Sequence, residues 1–165
     1  MGDSVIMITG GLGGLGSAFA VECARQGYDL LLLDRHPQGG EIIDYLRGKY
    51  PVEIRYERCD LADLEDRNDL LSQIQDQHLK FAGLINVVGQ EFEGPFLDRS
   101  RREVIYMLHL NLEAGIDLTH AILQQRDESQ RFMLINVASL GGFYPMPYKA
   151  VYSSTKRFII NFSLA

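Results

Sequence analysis

Apolar and polar positions follow two different periods along this chain. Ser4–Thr9 (SVIMIT), Tyr28–Asp34 (YDLLLLD), Gly83–Val88 (GLINVV) and Arg131–Val137 (RFMLINV) are short, nearly continuous apolar runs. Such runs suit strands buried on both faces of a sheet. Val52–Cys59 alternates instead and reads as an outer strand. Between them lie segments with helical spacing: about Gly16–Gln26, Glu41–Tyr50, Asp63–Gln77, Arg101–Gln125, and a last one opening near Ala150. Gly27 sits where a helix C-terminal stop belongs, and Pro51 ends the second helix. The order βαβαβαβαβα predicts an α/β fold with a parallel sheet of about five strands and helices on both faces. Right-handed crossovers make it doubly wound, with strand order 3-2-1-4-5. No repeat, low-complexity tract or linker divides the chain, so residues 1–165 read as one domain.

The segment 101–125 is apolar on two sides. Val104, Ile105, Leu108, Leu112, Ile116 and Leu123 form one stripe; Met107, Leu110, Ala114, Leu118 and Ala121 form another. One stripe can cover the sheet. The other needs a neighbouring helix of the same chain or a second copy. A homo-oligomer formed through this helix and the last one is therefore an expectation.

The 165 residues include 16 Lys and Arg against 22 Asp and Glu, a formal net charge of -6, with 46% hydrophobic residues. These values fit a globular domain and exclude collagen-like and disordered classes. An acidic chain without a Lys/Arg run argues against nucleic acid or an anionic membrane as partner. No apolar run approaches the ~20 residues of a transmembrane helix. The start, MGDSVIMIT, has no basic region ahead of an apolar one, so no signal peptide is expected. Cys23 and Cys59 make no disulfide framework, which fits a reducing compartment and a cytoplasmic location. His109 and His120 lack ligand spacing, and no metal is expected.

Chemistry enters at Thr9–Gly16 (TGGLGGLG), with five glycines in seven positions between the first strand and the first helix. The run satisfies GxGxxG, TGxxxGxG and TGxxGxxG at once. Glycines let backbone approach a pyrophosphate, and the helix N-terminus offers free N–H groups. Asp34 ends the second strand, where dinucleotide-binding folds place a carboxylate for the ribose hydroxyls. It would repel a 2′-phosphate and so favours NAD. Arg35 beside it either pairs with such a phosphate or is solvated. Asp60 either accepts from an adenine amino group or caps the next helix. Asn86 and Gly89 (NVVG) end the fourth strand on the same side, and Gly89 lets backbone pass close to a cofactor. Glu91 and Glu93, close after Gly89, either contact a substrate or belong to a solvated loop, and the loop is the preferred reading.

Ser139 follows the fifth strand. Thirteen residues later comes Tyr152, with Lys156 at i+4 on the same helical face. An ammonium beside a phenol favours phenolate and makes it a usable acid/base. A serine hydroxyl at a strand end can hydrogen-bond the same substrate oxygen.

Taken in order and spacing, TGGLGGLG, Asp34, Asp60, NVVG, Asn111, Ser139 and Tyr152-SST-Lys156 resemble the short-chain dehydrogenase/reductase family, in its short oxidoreductase branch, over the whole chain. The resemblance implies a Rossmann-type fold and a nicotinamide cofactor, NAD or alternatively NADP. It implies a small-molecule carbonyl or alcohol substrate interconverted by hydride transfer. Tyr152 would be the general acid/base. Lys156 would bind the nicotinamide ribose and lower the Tyr152 pKa. Ser139 would position the carbonyl, and Asn111 would support a proton relay to the lysine. Cofactor contacts are implied at Thr9, Gly10, Gly14, Leu15, Gly16, Asp34, Arg35, Asp60, Leu61, Asn86 and Gly89, besides Tyr152 and Lys156.

Three departures stand out. Val87 replaces a common Asn, which puts packing of the central strand in question. Ala138 precedes Ser139 where a second serine is frequent. The chain ends nine residues after Lys156, where family members continue with a sixth strand, a substrate lid and a seventh strand. The fifth strand would then be an unpaired edge. Two alternatives follow: a catalytically incomplete nucleotide-binding fragment, or a nucleotide-sugar epimerase-like protein using the TGxxGxxG reading.

Overall fold

Strands β1 (Ser4–Thr9), β2 (Asp29–Asp34), β3 (Ile54–Arg58), β4 (Lys80–Asn86) and β5 (Met133–Asn136) form one parallel sheet in the computed structural model, which describes residues 4–165. Their order, β3-β2-β1-β4-β5, is the expected one. Among the described residues, six α-helices surround the sheet: α1 (Gly14–Arg25), α2 (Gly40–Lys49), α3 (Leu64–Asp76), α4 (Arg101–Leu108), α5 (Ala114–Gln124) and α6 (Ala150–Leu164). The strand order reverses between β1 and β4, so the crevice above their C-terminal ends is where such a sheet binds ligands.

The unbroken apolar runs are explained by burial on both faces. Val5, Met7, Leu31 and Leu33 pack with Leu70 and Ile74 of α3 and with Ala114, Leu118 and Ile122 of α5. Ile6, Ile8, Leu30 and Leu32 pack on the opposite face with Ala20 and Cys23 of α1 and with Ile43 and Leu46 of α2. Each such side chain contributes about 1.5–3 kcal/mol relative to exposure.

Helix ends follow local chemistry. Asp63 caps α3, accepting from the Glu65 and Asp66 N–H groups at 2.8 and 3.2 Å. Ser100 and Glu103 form a reciprocal capping box on α4. Gly27 takes φ +89° just past α1.

Several boundaries differ from the sequence expectation. The first helix opens at Gly14, two residues before Gly16. The fourth strand begins at Lys80 rather than Gly83, because Lys80 and Phe81 pair with Ser4 and Val5. It ends at Asn86 because the Val87 and Val88 N–H groups turn to the Thr9 hydroxyl, at 3.0 and 3.2 Å, instead of extending the ladder. The long helix is not uniform: His109–Glu113 forms a π-turn between α4 and α5.

Of the two stripes on that helix, Met107, Leu110, Ala114 and Leu118 are the buried one. The other is partly covered by α6 of the same chain and leaves Ile105 38% exposed. Among the described residues β5 pairs only with β4, and Leu134 is 38% exposed.

Candidate active site

The glycine turn is held by backbone. Gly11 N–H donates to Leu33 O at 3.0 Å and Gly13 N–H to Gly10 O at 3.0 Å. Gly10 takes φ +67°, and a Cβ on Gly16 would lie 2.0 Å from Gly10 O, so neither position admits a side chain without a shift. Above the turn, α1 starts with no side-chain cap and no acidic residue in its first turn. Its first N–H groups and positive dipole end therefore have no side-chain partner, and a Cβ on Gly14 would meet nothing within 4 Å. This cradle fits a diphosphate. Leu15 stands at the same end, half exposed.

Beside the turn lies a cleft of about 250 Å³, with Asp34, Asp60 and Leu61 on one wall and Gly89, Tyr106 and Leu110 on the other. Asp34 accepts from the Leu12 N–H of the glycine turn at 3.2 Å and from His36 N–H at 3.3 Å. Arg35 lines the same cleft, and its guanidinium donates to the Tyr106 hydroxyl at 3.4 Å. Asp60 does not cap α3, since Asp63 does so. One Asp60 oxygen accepts from Ala62 N–H at 3.1 Å, and the other remains available. The Thr9 hydroxyl is committed to the Val87 and Val88 N–H groups, so it shapes the floor of the crevice. That tie also seats the NVVG segment without the missing Asn. Asn86 joins a polar ladder, donating to Thr119 Oγ1 at 3.2 Å and to Asn136 Oδ1 at 2.9 Å, and Asn136 donates on to Ser163 Oγ at 3.0 Å.

The second group of residues gathers where β4 and β5 end. Asn111 sits in the π-turn and clamps Gln90: its Oδ1 accepts from Gln90 N–H at 2.8 Å, and its Nδ2 donates to Gln90 O at 2.9 Å and to Thr155 Oγ1 at 3.2 Å. Lys156 is only 6% exposed and donates from Nζ to Val137 O at 2.9 Å. Burial alone pushes its pKa below the usual lysine value. A Cβ on Gly89 would stand 3.3 Å from Lys156 Nζ and 3.5 Å from Asn111 Oδ1, which accounts for glycine there. Lys156 Nζ lies 5.8 Å from the Tyr152 ring centroid. Ser139 Oγ accepts from Gly141 N–H at 3.1 Å, so its own hydrogen stays free to donate. A Cβ on Gly141 would touch both Ser139 Oγ (3.4 Å) and Tyr152 Cε1 (3.5 Å), so these two side chains flank the same small space.

Two features were missed in the sequence. Lys149 pairs with Glu91 and, at 3.4 Å, with Glu93, so that loop is fastened to the segment before Tyr152. Arg67 is fully buried and bound to Glu113 and Asp117. Its signal was present: position 67 falls on the apolar stripe of α3 with Leu70 and Ile74. Among the described residues, no group of three or more His, Cys, Asp or Glu could hold a metal, and no helix is long and apolar enough to cross a membrane.

A parallel sheet with a glycine turn at its switch point, a carboxylate at the end of β2 and a phosphate-sized helix N-terminus defines a dinucleotide-binding domain. The sequence profile of the short chain dehydrogenase family matches residues 4–165, and the chain belongs to that family. It is 29% identical to very-long-chain 3-oxoacyl-CoA reductase-B of Danio rerio, over 95% of this chain and 51% of that protein. A short-chain dehydrogenase from Sphingobium yanoikuyae in complex with NADPH superposes with a TM-score of 0.89 at 25% identity, over 98% of this chain and 63% of the other. A 4-hydroxyisoleucine dehydrogenase complexed with NADH gives a TM-score of 0.84 at 26% identity, over 96% and 64%. The chain spans about half the length of the curated relatives it matches.

Proposed function

We propose that this chain carries the nucleotide site and the proton-transfer residues of a nicotinamide-dependent oxidoreductase that interconverts an alcohol with a ketone or aldehyde. The observation that carries the reading is the meeting of Ser139, Tyr152 and Lys156 at the strand ends, next to the glycine turn. The bound nicotinamide supplies or accepts the hydride. The chain's own residues bind, orient and move the proton. Tyr152 holds the proton exchanged with the substrate oxygen. Ser139, with its hydrogen free, donates to that same oxygen and stabilises charge developing on it. Lys156 spends one donor on Val137 O and keeps others for a ribose hydroxyl. Asn111 fixes Gln90 and Thr155 around them.

Asp34 lines the cleft at the end of β2, where a carboxylate repels a 2′-phosphate, which supports NADH over NADPH. The activity named for the Danio rerio relative, reduction of a 3-oxoacyl-CoA, is a carbonyl reduction of this kind. The partly exposed stripe containing Ile105, beside α6, supports a homo-oligomer formed through these helices. Sedimentation that shows only monomer at high concentration would remove that part of the reading.

The test of the activity is NADH oxidation against a panel of ketones, aldehydes and 3-oxoacyl thioesters, with Tyr152→Phe as control. Turnover that survives unchanged in Tyr152→Phe overturns the assignment.

A further inference from the structure

Arg67 is fully buried on α3 and takes no part in the proposed chemistry. Its guanidinium reaches in three directions. Nη1 donates to the Leu61 carbonyl at 2.6 Å, Nε donates to Asp117 at 3.0 Å, and Nη2 donates to Glu113. Leu61 belongs to one wall of the 250 Å³ cleft, beside Asp60. Glu113 belongs to the π-turn that carries Asn111, and Tyr106 and Leu110 of the same long helix line the opposite wall. One cation therefore joins Leu61 to the helical run that carries Tyr106 and Leu110, and residues of both segments line the cleft. Arginine carries its donors on three nitrogens of a rigid fork, each here facing its own acceptor; a lysine ammonium carries three donors on one nitrogen at the end of a flexible stem. A buried carbonyl stripped of its donor is costly, so the Leu61 segment would shift to find another.

We propose that Arg67 is a positioning residue for nucleotide binding: it ties the Leu61 backbone to the Asn111 turn and fixes the width of the cleft before a ligand arrives. The inference rests on the reading of this cleft as a dinucleotide site. Its advantage is preorganisation: walls already held in place do not have to be ordered at the moment of binding. Asp117 serves a different end. It neutralises the buried charge but belongs to α5, beyond the π-turn, and lines neither wall.

The experiment uses the 165-residue chain and compares it with Arg67→Met, Arg67→Lys and Asp117→Asn. Two quantities are read: NADH affinity by calorimetry, and amide hydrogen exchange at Asp60, Ala62 and Asp63, whose N–H groups are all bonded. Both Arg67 variants are expected to lose about tenfold in affinity and to exchange about tenfold faster at these amides, the scale of one buried group left unpaired. Asp117→Asn is expected to melt at a lower temperature yet stay within about twofold on both readouts, because the Leu61 and Glu113 bonds survive. Wild-type affinity and exchange in a folded Arg67 variant would overturn the proposal. So would an Asp117→Asn protein that loses as much as Arg67→Lys, since Arg67 would then be a stability determinant only. If Arg67→Met does not fold, Arg67→Lys carries the comparison. If the unaltered chain binds no NADH, the dinucleotide reading fails, and the exchange rates alone decide whether Arg67 holds the wall.

Discussion

The glycine-turn end of the site is made almost wholly of backbone, and the end where Asn111, Ser139, Tyr152 and Lys156 meet almost wholly of side chains. At the first end, Gly10–Gly16 holds its shape through N–H to carbonyl bonds, and the centre of the sheet beneath it is buried on both faces. At the second, Asn111, Ser139, Tyr152 and Lys156 come from three separate segments and meet beside β5, a four-residue edge strand with exposed Leu134. Backbone geometry tolerates no side chain but needs few particular residues besides glycine. Side-chain geometry needs every member of the group and the loops that carry it. The two ends should therefore fail differently.

The largest effect is expected at the backbone end. Gly16→Ala places a methyl 2.0 Å from Gly10 O, so the turn must open. It should abolish NADH binding and turnover together and cost about 3 kcal/mol of stability, measured by urea unfolding. Tyr152→Phe breaks the other end alone. Turnover should fall by roughly a thousandfold with NADH affinity unchanged, read by steady-state kinetics and calorimetry. Thr9→Val removes the acceptor of two partly buried N–H groups that join β1 to the end of β4. It should destabilise by about 1–3 kcal/mol and weaken both ends, because both lean on that junction.

Asp34→Ser sharpens the comparison within the backbone end. NADH affinity should drop about tenfold, or about 1.4 kcal/mol, while NADPH affinity rises. The smallest effect concerns acid stability. His109 and Arg67 beside Glu113 hold its carboxyl below the ordinary 4.5. A depressed folded-state pKa adds stability that is complete above about pH 4.5 and is lost as pH falls through the folded value. Glu113→Gln should therefore show a smaller difference in urea midpoint between pH 7 and pH 4 than the unaltered protein.

The backbone end was legible because its signals are local. Apolar runs marked four of the strands and alternation marked β3, and TGGLGGLG with Gly27 and Pro51 supplied their punctuation. The errors came where a distant residue decides. The start of β4 depends on pairing with β1, and its end depends on the Thr9 hydroxyl. Neither is written in GLINVV. At the other end the residues alone suggested Ser139, Tyr152 and Lys156, and only the family resemblance joined Asn111 to them; their roles remain the proposal made above. Asp60 was left open between adenine and cap, and the structure gives the cap to Asp63. Arg67 escaped notice because a charge on an apolar stripe shows its meaning only when its acceptors, on other elements, are in place.

Titration of the purified 165-residue chain with NADH and, separately, NADPH at fixed ionic strength tests the central claim most directly. Micromolar NADH binding with much weaker NADPH binding is the predicted result. Binding of neither would contradict the account, because the glycine turn, Asp34 and the cleft between Leu61 and Tyr106 would then form no working nucleotide site.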